Sequence, residues 1–225
     1  MTEFHADGIV PTDTEVALEV LTARWHRWDR TDEVHEAVTL RWEHNGWTIQ
    51  GSMPAEQIEY ALRLDADGTT RQFLLFRDLD EPDLWLAHDG RGHWGEVNGA
   101  HRDDLDGCLD VGPVGSVLLR SLPIRRLGVW AGATEAFDID LAHVDTATLA
   151  VVPSTHRYSR LGTSTWSVTQ PAMGAGAMTE PVADEVEVAD EVEMDVEMDV
   201  AMDIEVDEDW LVIDLAGTAR RDPTR

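Results

Sequence analysis

A repeated strand–turn–strand pattern is the feature that most constrains the fold of this chain. Residues 38–43 alternate apolar and polar side chains, Asn45-Gly46 follows, and residues 47–50 resume the alternation. Asn-Gly between two such runs is the strongest short-range signal for a β-hairpin, because both residues tolerate positive φ angles. The same pattern predicts two more hairpins: strands 58–64 and 71–77 around a turn at 65–68, and strands 84–87 and 93–97 around a turn at 89–92.

The alternation continues in the second half of the chain. It predicts strands at 137–141, 147–153, 156–162 and 165–170, and a last hairpin of 201–206 with 210–215 across the turn 207–209. The run at 147–153 is apolar throughout most of its length, so we expect a buried strand there. Hairpins at this spacing predict a mainly β protein with a single antiparallel sheet, either closed into a barrel or curled into an open one.

The block from residue 106 to residue 127 interrupts this pattern. It holds the one cysteine, Cys108, together with three glycines, two prolines and the adjacent arginines Arg125 and Arg126. We predict a short helical element near residues 113–119. If the arginine segment is extended, neighbouring side chains point to opposite faces, so at most one arginine faces the interior. A lone cysteine forms no internal disulfide, and we expect Cys108 to be a small buried residue.

This block also resembles a known family. Asp106-Gly107-Cys108-x-Asp110 and the later Leu122-Pro123-Ile124-Arg125-Arg126-Leu127 are similar to the signature of the putative glycolipid-binding family. Further similarity lies in Arg24-Trp25-x-Arg27, in Asn45-Gly46-Trp47 and in residues 206–212, so that the resemblance covers residues 20–170 and 200–221.

The resemblance implies a fold and a function. The family consists of small bacterial and archaeal proteins with an open antiparallel β-barrel similar to that of the periplasmic lipoprotein carriers. The resemblance therefore implies that the single curled sheet of this chain forms a half-open barrel. It favours a strand over the second half of residues 14–28, where the pattern alone fits either a strand or a helix. One departure is Leu118-Leu119-Arg120-Ser121, where the resemblance leads us to expect small polar residues.

The charge balance limits the possible partners. The 225 residues carry 45 acidic and 17 basic side chains, a formal net charge of −28, and every one of those basic residues is arginine. Such a halophilic-type composition resembles proteins of salt-loaded cytoplasms, where molar salt shortens the Debye length to about 3 Å and screens self-repulsion. An acidic surface repels phosphate, so nucleic acid is not an expected partner. With neither a secretory signal nor a ~20-residue apolar run, a cytoplasmic protein without a transmembrane segment is expected.

Composition also sets the expected domain boundaries. Residues 180–209 hold 15 acidic and no basic side chains, in an alternation that fits either a long edge strand or a disordered, self-repelling tract. We therefore predict one domain, divided as a flexible arm at 1–13, a β domain at 14–178 that ends in a linker, an acidic low-complexity insertion at 179–199, the final hairpin at 200–221 and a tail at 222–225. The oligomeric state stays open.

The sequence lacks the common catalytic motifs. Gly-x-Ser-x-Gly, the phosphate-binding Gly-x-x-x-x-Gly-Lys loop and His-Glu-x-x-His do not occur, and no lysine is present to form a Schiff base. The nine histidines show no metal-ligand spacing. No catalytic residue, metal site or cofactor is therefore predicted.

A binding function is better supported. Curled sheets can enclose a mostly apolar cavity in which a few polar groups orient the ligand. Tryptophans could line such a cavity, and a guanidinium fork could hold a phosphate, a carboxylate or a sugar hydroxyl. The predicted ligand-binding residues are Trp42, Trp47, Trp85, Trp94, Trp130, Arg125, Arg126, Asp106 and Asp110.

The resemblance thus predicts non-catalytic binding of a lipid or glycolipid-like amphiphile. Two alternatives stay open: a protein-interaction or structural module without a small-molecule site, and an uncharacterised enzyme acting on a lipid-like substrate. A structural role also stays open for the inward arginine, as the partner of Asp106 or Asp110, and for the tryptophans, as core residues.

Overall fold

The computed structural model of the protein describes residues 19–78, 80–130, 136–171 and 199–223, without the side chains of residues 129 and 130. The predicted arm at 1–13 and residues 179–198 of the predicted acidic insertion lie outside the described residues. The proposed domain boundaries at these places stay predictions.

The described part of the chain contains fourteen strands and one α-helix. In chain order these are β1 (Val20–Arg27), β2 (Val34–Glu43), β3 (Gly46–Met53), β4 (Ile58–Asp65), β5 (Thr70–Phe76), β6 (Leu84–His88), β7 (Trp94–Glu96), β8 (Asp110–Pro113), α1 (Val117–Trp130), β9 (Ala136–Val144), β10 (Val151–Arg160), β11 (Thr165–Gln170), β12 (Val200–Val206), β13 (Val212–Leu215) and β14 (Ala219–Arg221).

All fourteen strands form one unclosed sheet in the order β7-β6-β5-β4-β3-β2-β1-β14-β13-β12-β11-β10-β9-β8. The prediction of a mainly β protein with one unclosed sheet and one helix is confirmed. The sheet is mixed rather than wholly antiparallel, because β8 and β9 pair in parallel while the other neighbours are antiparallel. The helix between these two strands is the crossover that parallel pairing requires. The sheet curls until the Thr70 amide on β5 donates to the Leu109 carbonyl beside β8, at 3.2 Å.

The three early hairpins are confirmed, with one correction to a turn. The positive φ angles lie at His44 and Asn45, and Gly46 already belongs to β3, where it pairs with Glu43. Glycine is needed at this position for a different reason from the predicted one. A Cβ at Gly46 would overlap the carbonyl oxygen of Leu64 on the neighbouring strand β4.

The later part of the chain is β as predicted, but the strands predicted separately at 147–153 and 156–162 form the single strand β10. The prediction of a buried strand at 147–153 was wrong, because only Val151 of these residues is buried. The apolar run predicted as a strand at 147–153 begins instead with a turn that contains Leu149 at φ 65°, and β10 starts at Val151. The last hairpin is confirmed as β12 and β13. Sequence analysis did not predict β8 or β14, two short strands of four and three residues.

The helix α1 lies on the inner face of the curled sheet, and it is longer than the predicted element at 113–119. It continues through Pro123, and residues such as Leu118, Leu122 and Ile124 are buried. A helix that is apolar on nearly every side is typical of one enclosed by the core. No helix in the described ranges is both long enough and apolar enough to span a membrane.

The buried carboxylate of Glu36 on β2 fixes the beginning of α1. Its Oε2 accepts hydrogen bonds from the backbone amides of Val117 (2.6 Å) and Leu118 (3.0 Å), and its Oε1 accepts from the hydroxyls of Ser116 and Tyr60. A negative charge at a helix N-terminus satisfies amides that have no partner within the helix and complements the helix dipole. The helix is thereby tied to the first half of the sheet.

Candidate functional site

A groove lies on the outer face of the sheet, opposite α1. Along β1 to β4 every second side chain is buried on the helix side, and the residues between them face outward. The strand register aligns one outward residue from each of five neighbouring strands, in the order Arg24, Ala37, Ser52, Glu59 and Phe76. Because neighbouring strands lie about 4.8 Å apart, this row spans about 19 Å.

A second row runs beside the first and consists of Thr22, Thr39, Gln50 and Ala61. We call the depression along these two rows the outer groove. Its volume is about 1510 Å³, which exceeds the roughly 300–1,000 Å³ of most small-molecule pockets. The residues that line it are Thr22, Ala23, Arg24, Ala37, Val38, Thr39, Gln50, Gly51, Ser52, Glu59, Tyr60, Ala61, Phe76, Arg221, Asp222 and Pro223.

The outer groove changes in chemical character along its length. Its middle carries small side chains, among them Ala37 and Ser52, which leave room above the sheet. One end is charged: the Asp222 amide donates to the carbonyl of Arg24 at 2.8 Å, and the Asp222 carboxylate lies 3.1 Å from His26 Nε2. The other end carries the aromatic ring of Phe76. The groove therefore offers polar and apolar contacts to one elongated ligand.

Of the nine residues predicted from the sequence, the eight whose side chains the structure describes do not line the outer groove. Sequence reasoning missed this surface because its residues become neighbours only through the register of five strands. The available signal was the series of small outward residues on successive strands, such as Thr22, Ala37, Ser52 and Ala61. Those positions alternate with buried core residues and would usually be read as ordinary exposed strand positions.

Among the predicted residues, the structure brings Arg126 and Asp110 together on the inner side of the sheet. Arg126 Nη2 lies 2.7 Å from Asp110 Oδ2, and Nη1 donates to Oδ1 at 3.1 Å and to the carbonyl of Gly68 at 3.2 Å. Thr70 Oγ1 also donates to Asp110. Burial alone would lower the pKa of Arg126, but the charge and hydrogen bonds of Asp110 raise it above its usual value. Arg126 is thus the structural partner of Asp110, which is one of the two roles that the sequence left open for an inward arginine.

The structure also brings together Arg125, Trp47 and Trp42. The Arg125 guanidinium lies over the Trp47 ring, 4.2 Å from its centre, and Trp42 packs edge-on against Trp47 at 5.3 Å. Burial lowers the pKa of Arg125, while Glu19 and Asp209 act against that shift. Because the segment is helical rather than extended, Arg125 and Arg126 are both partly buried and reach different parts of the sheet.

Trp94 lies in the core, apart from the arginines. Its indole Nε1 donates to the carbonyl of Cys108 at 2.9 Å, and its ring packs against His88 at 4.9 Å. Cys108 is buried as expected, and burial raises the pKa of its thiol to about 12. A thiol with so high a pKa is a poor nucleophile near neutral pH.

The remaining predicted residues are dispersed. Trp85 is half-buried on β6, and the side chain of Trp130 lies outside the described residues. Asp106 is exposed, with Oδ1 3.3 Å from His101 Nε2. His101, Asp103 and Asp106 lie close enough to share a cation, but all three are exposed, as acidic groups without an ion commonly are.

A second polar arrangement, on the inner face, was also missed. Arg120 on α1 is 8% exposed, and its Nη1 donates to the Ser116 carbonyl at 3.0 Å while Nη2 donates to Gln170 Oε1 at 3.0 Å. Its Nε has no hydrogen-bond partner among the described residues. Arg120 stands at the place where the sequence departs from the family signature, and that departure was the signal.

Three buried side chains on β9 and β10 lie near enough to Arg120 to interact with its charge. His143 and His156 share a hydrogen bond between their Nε2 atoms at 3.0 Å, and both Nδ1 atoms lack a partner within the described part of the chain. The hydroxyl of Tyr158, two residues beyond His156, likewise lacks a described partner. Burial lowers the pKa of His143 to about 4 and that of His156 to about 3, and the nearby charge of Arg120 contributes to both shifts. We call these four residues the inner polar cluster.

Comparisons with known proteins agree with this architecture. A family model described as “Putative glycolipid-binding” matches residues 22–189, which is more than half of the chain. The solved structure of a DUF1089 family protein from Pseudomonas aeruginosa is similar, with a TM-score of 0.55 and 20% identity over 99% of this chain and 100% of that one. At this identity the likeness shows the fold alone. No curated protein matches the chain.

Proposed function

Because this chain belongs to the family described as “Putative glycolipid-binding”, we propose that it binds a lipid or glycolipid-like amphiphile, without catalysis, in the outer groove. The observation that carries this proposal is the row from Arg24 to Phe76, which crosses five strands of the sheet. Such a row can contact a ligand that is too long for an ordinary pocket.

The lining supports an amphiphile rather than a wholly apolar or wholly polar ligand. Hydroxyl and amide side chains, such as Thr39, Gln50 and Ser52, can donate to and accept from sugar hydroxyls. Ala37 and Ala61 leave apolar surface beside them, and Phe76 offers a ring face. A few polar groups that orient a ligand on apolar surface are typical of binding sites.

This location differs from the one predicted from the sequence. The inner face is filled by α1, and Arg126 and Trp94 are engaged there with Asp110 and the Cys108 carbonyl. Ligand contacts by all nine residues of the sequence prediction stay a prediction. The outer groove instead has its volume already open at the surface of the protein.

Blocking the middle of the groove tests the proposal. Ala37→Trp places a large ring in the row, and Ser167→Trp, on β11 and away from the groove lining, is the matched control. The probe is dodecyl maltoside, titrated calorimetrically below its micelle concentration in high salt. We expect saturable binding to the unmodified protein and to S167W, and binding to A37W that is weaker by at least about tenfold. Equal affinity of A37W and the unmodified protein would overturn the groove as the site.

A further inference from the structure

The inner polar cluster contains a buried cation without a buried anion. Arg120 is 8% exposed, and no carboxylate of the described residues lies within ion-pair distance of its guanidinium. The nearby carboxylate of Glu36 is already occupied by the helix amides and two hydroxyls. Removing a charge from water is costly unless the charge is paired, so a buried arginine without a countercharge among the described residues requires an explanation.

Arg126 lies on the same helix as Arg120 and has a structural role, so the partners of the two guanidinium groups can be compared. Arg126 meets the carboxylate of Asp110 with two nitrogens, whereas Arg120 meets only neutral oxygens, those of Ser116 and Gln170. The two arginines lie on one helix, but only one of them has a countercharge in the described protein. Among the described residues, the guanidinium of Arg120 therefore has a donor, Nε–H, to which a bound anion could supply the acceptor.

The groups around Arg120 are mainly hydrogen-bond donors. A hydrogen bond between two Nε2 atoms needs one donor and one acceptor, so one of His143 and His156 carries its proton on Nδ1 when both rings are neutral. Burial lowers the pKa of both rings, which keeps them neutral near pH 7, and burial raises the pKa of Tyr158, which keeps its hydroxyl protonated. An Nδ1–H, the Tyr158 hydroxyl and the Arg120 Nε–H thus all lack an acceptor among the described residues.

We propose that the inner polar cluster binds an oxyanion of the phosphate or sulfate class, with Arg120 as its principal contact. The Nε–H and one Nη2–H bond of a guanidinium point in parallel and match two oxygens of such an anion. Nη2 now donates to Gln170 Oε1, and Gln170 is half-buried at the end of β11. The Gln170 oxygen therefore occupies the position of one anion oxygen, and the anion enters where Gln170 moves aside. This site lies on the opposite face of the sheet from the outer groove.

Calorimetric titration of the full chain with inorganic phosphate, at constant chloride concentration, tests the proposal. We expect one saturable site in the unmodified protein and at least about tenfold weaker binding in Arg120→Gln, since a charge-assisted contact is lost. Arg157→Gln, which removes an exposed arginine on β10, is the matched control and should bind as the unmodified protein does. Gln170→Ala removes the competing oxygen and should bind at least as tightly, which keeps the proposal testable if R120Q fails to fold. Absence of saturable binding to the unmodified protein, or an equal loss in R157Q, would overturn the proposal.

Two additional measurements locate the anion and identify its source. Crystals soaked in selenate should show an anomalous peak within hydrogen-bonding distance of Arg120 Nε, and an ordered water alone at that place would contradict the site. Dihexanoyl phosphatidate that binds about tenfold more tightly than inorganic phosphate would identify a lipid headgroup, whereas equal affinity would identify a free ion. The variant A37W should retain phosphate binding, so failure of the groove proposal and failure of this one are distinguishable.

Discussion

Arg126 and Asp110 form a two-point ion pair on the inner side of the sheet, with nitrogen–oxygen distances of 2.7 and 3.1 Å. Asp110 begins β8 and Arg126 lies near the end of α1, so the pair joins the two segments that carry the family signature. Asp110 is fully buried, and Thr70 and Gly68 complete the hydrogen bonds around the pair. We infer that these two signature residues hold the helix against the sheet.

Arg126→Ala should therefore destabilise the protein. Removal of one partner of a buried ion pair leaves the other charge uncompensated, at a cost of about 3–5 kcal/mol in the free energy of unfolding. Urea unfolding in high salt measures the change. The exposed pair of Arg157 with Asp138 provides the control, because Arg157→Ala should cost less than about 1 kcal/mol. A loss in R126A as small as that in R157A would contradict the structural role.

Glu36→Gln should destabilise the attachment of α1. The substitution keeps the size of the side chain but removes the charge that accepts hydrogen bonds from Val117 and Leu118. Hydrogen bonds to charged groups contribute about 1.5–3 kcal/mol each, so we expect a loss of about 3 kcal/mol in urea unfolding. Glu33→Gln, at an exposed ion pair with Arg30, should change the free energy of unfolding only slightly. Similar stability of E36Q and E33Q would show that the helix does not depend on this carboxylate.

Gly51→Ala should also destabilise the protein, through a contact that only glycine permits. The ring of Tyr60 on β4 lies across Gly51 on β3 and reaches Glu36 on β2, so a Cβ at Gly51 would overlap the ring. Overpacking of this kind costs about 1–3 kcal/mol. Gly68→Ala is unsuitable as a control because its φ is positive, but Ser52→Ala on the outer face should be nearly neutral. Thermal unfolding that gives G51A and S52A the same midpoint would refute the contact.

The two buried histidines should make stability depend on pH. The folded-state pKa values of His143 and His156, about 4 and about 3, lie below the ordinary value of 6.5. Their neutral forms are favoured by folding, so their contribution is complete above pH 6.5 and is lost as pH falls toward the folded-state values. Between pH 6 and pH 4.5 these two histidines bind up to two more protons in the unfolded chain than in the folded one. The free energy of unfolding therefore falls with decreasing pH, by up to about 2.7 kcal/mol per pH unit. Unfolding of the double variant H143Q/H156Q should show a shallower slope over this window, and an unchanged slope would contradict the prediction.

The hairpins could be predicted from the sequence because their signals are local. Alternation and a turn such as His44-Asn45-Gly46 specify neighbouring strands without reference to the rest of the chain. The parallel pairing of β8 with β9 depends on where the helix returns the chain, which no local pattern contains. The same limit explains the length of α1: Pro123 reads as a helix breaker, and the contacts that keep the segment helical, such as those of Glu36, come from distant strands.

The candidate sites depend even more on long-range geometry. The outer groove exists because Arg24 and Phe76, far apart in the chain, fall in one row through four strand registers. The pairing of Arg126 with Asp110 was open as an alternative in the sequence, because both residues belong to the block at 106–127 and carry opposite charges. That Arg120 Nε has no acceptor among the described residues could not be predicted, since it depends on which acceptors the fold brings near the guanidinium.

The most direct test of the central claim is native mass spectrometry of the protein purified in high salt from the organism that makes it, followed by solvent extraction of any bound molecule. We predict a near-stoichiometric amphiphile on the unmodified protein and on S167W, and its loss from A37W. A bare protein mass that persists after incubation with total host lipid would contradict the binding function and favour an interaction module without a small-molecule site.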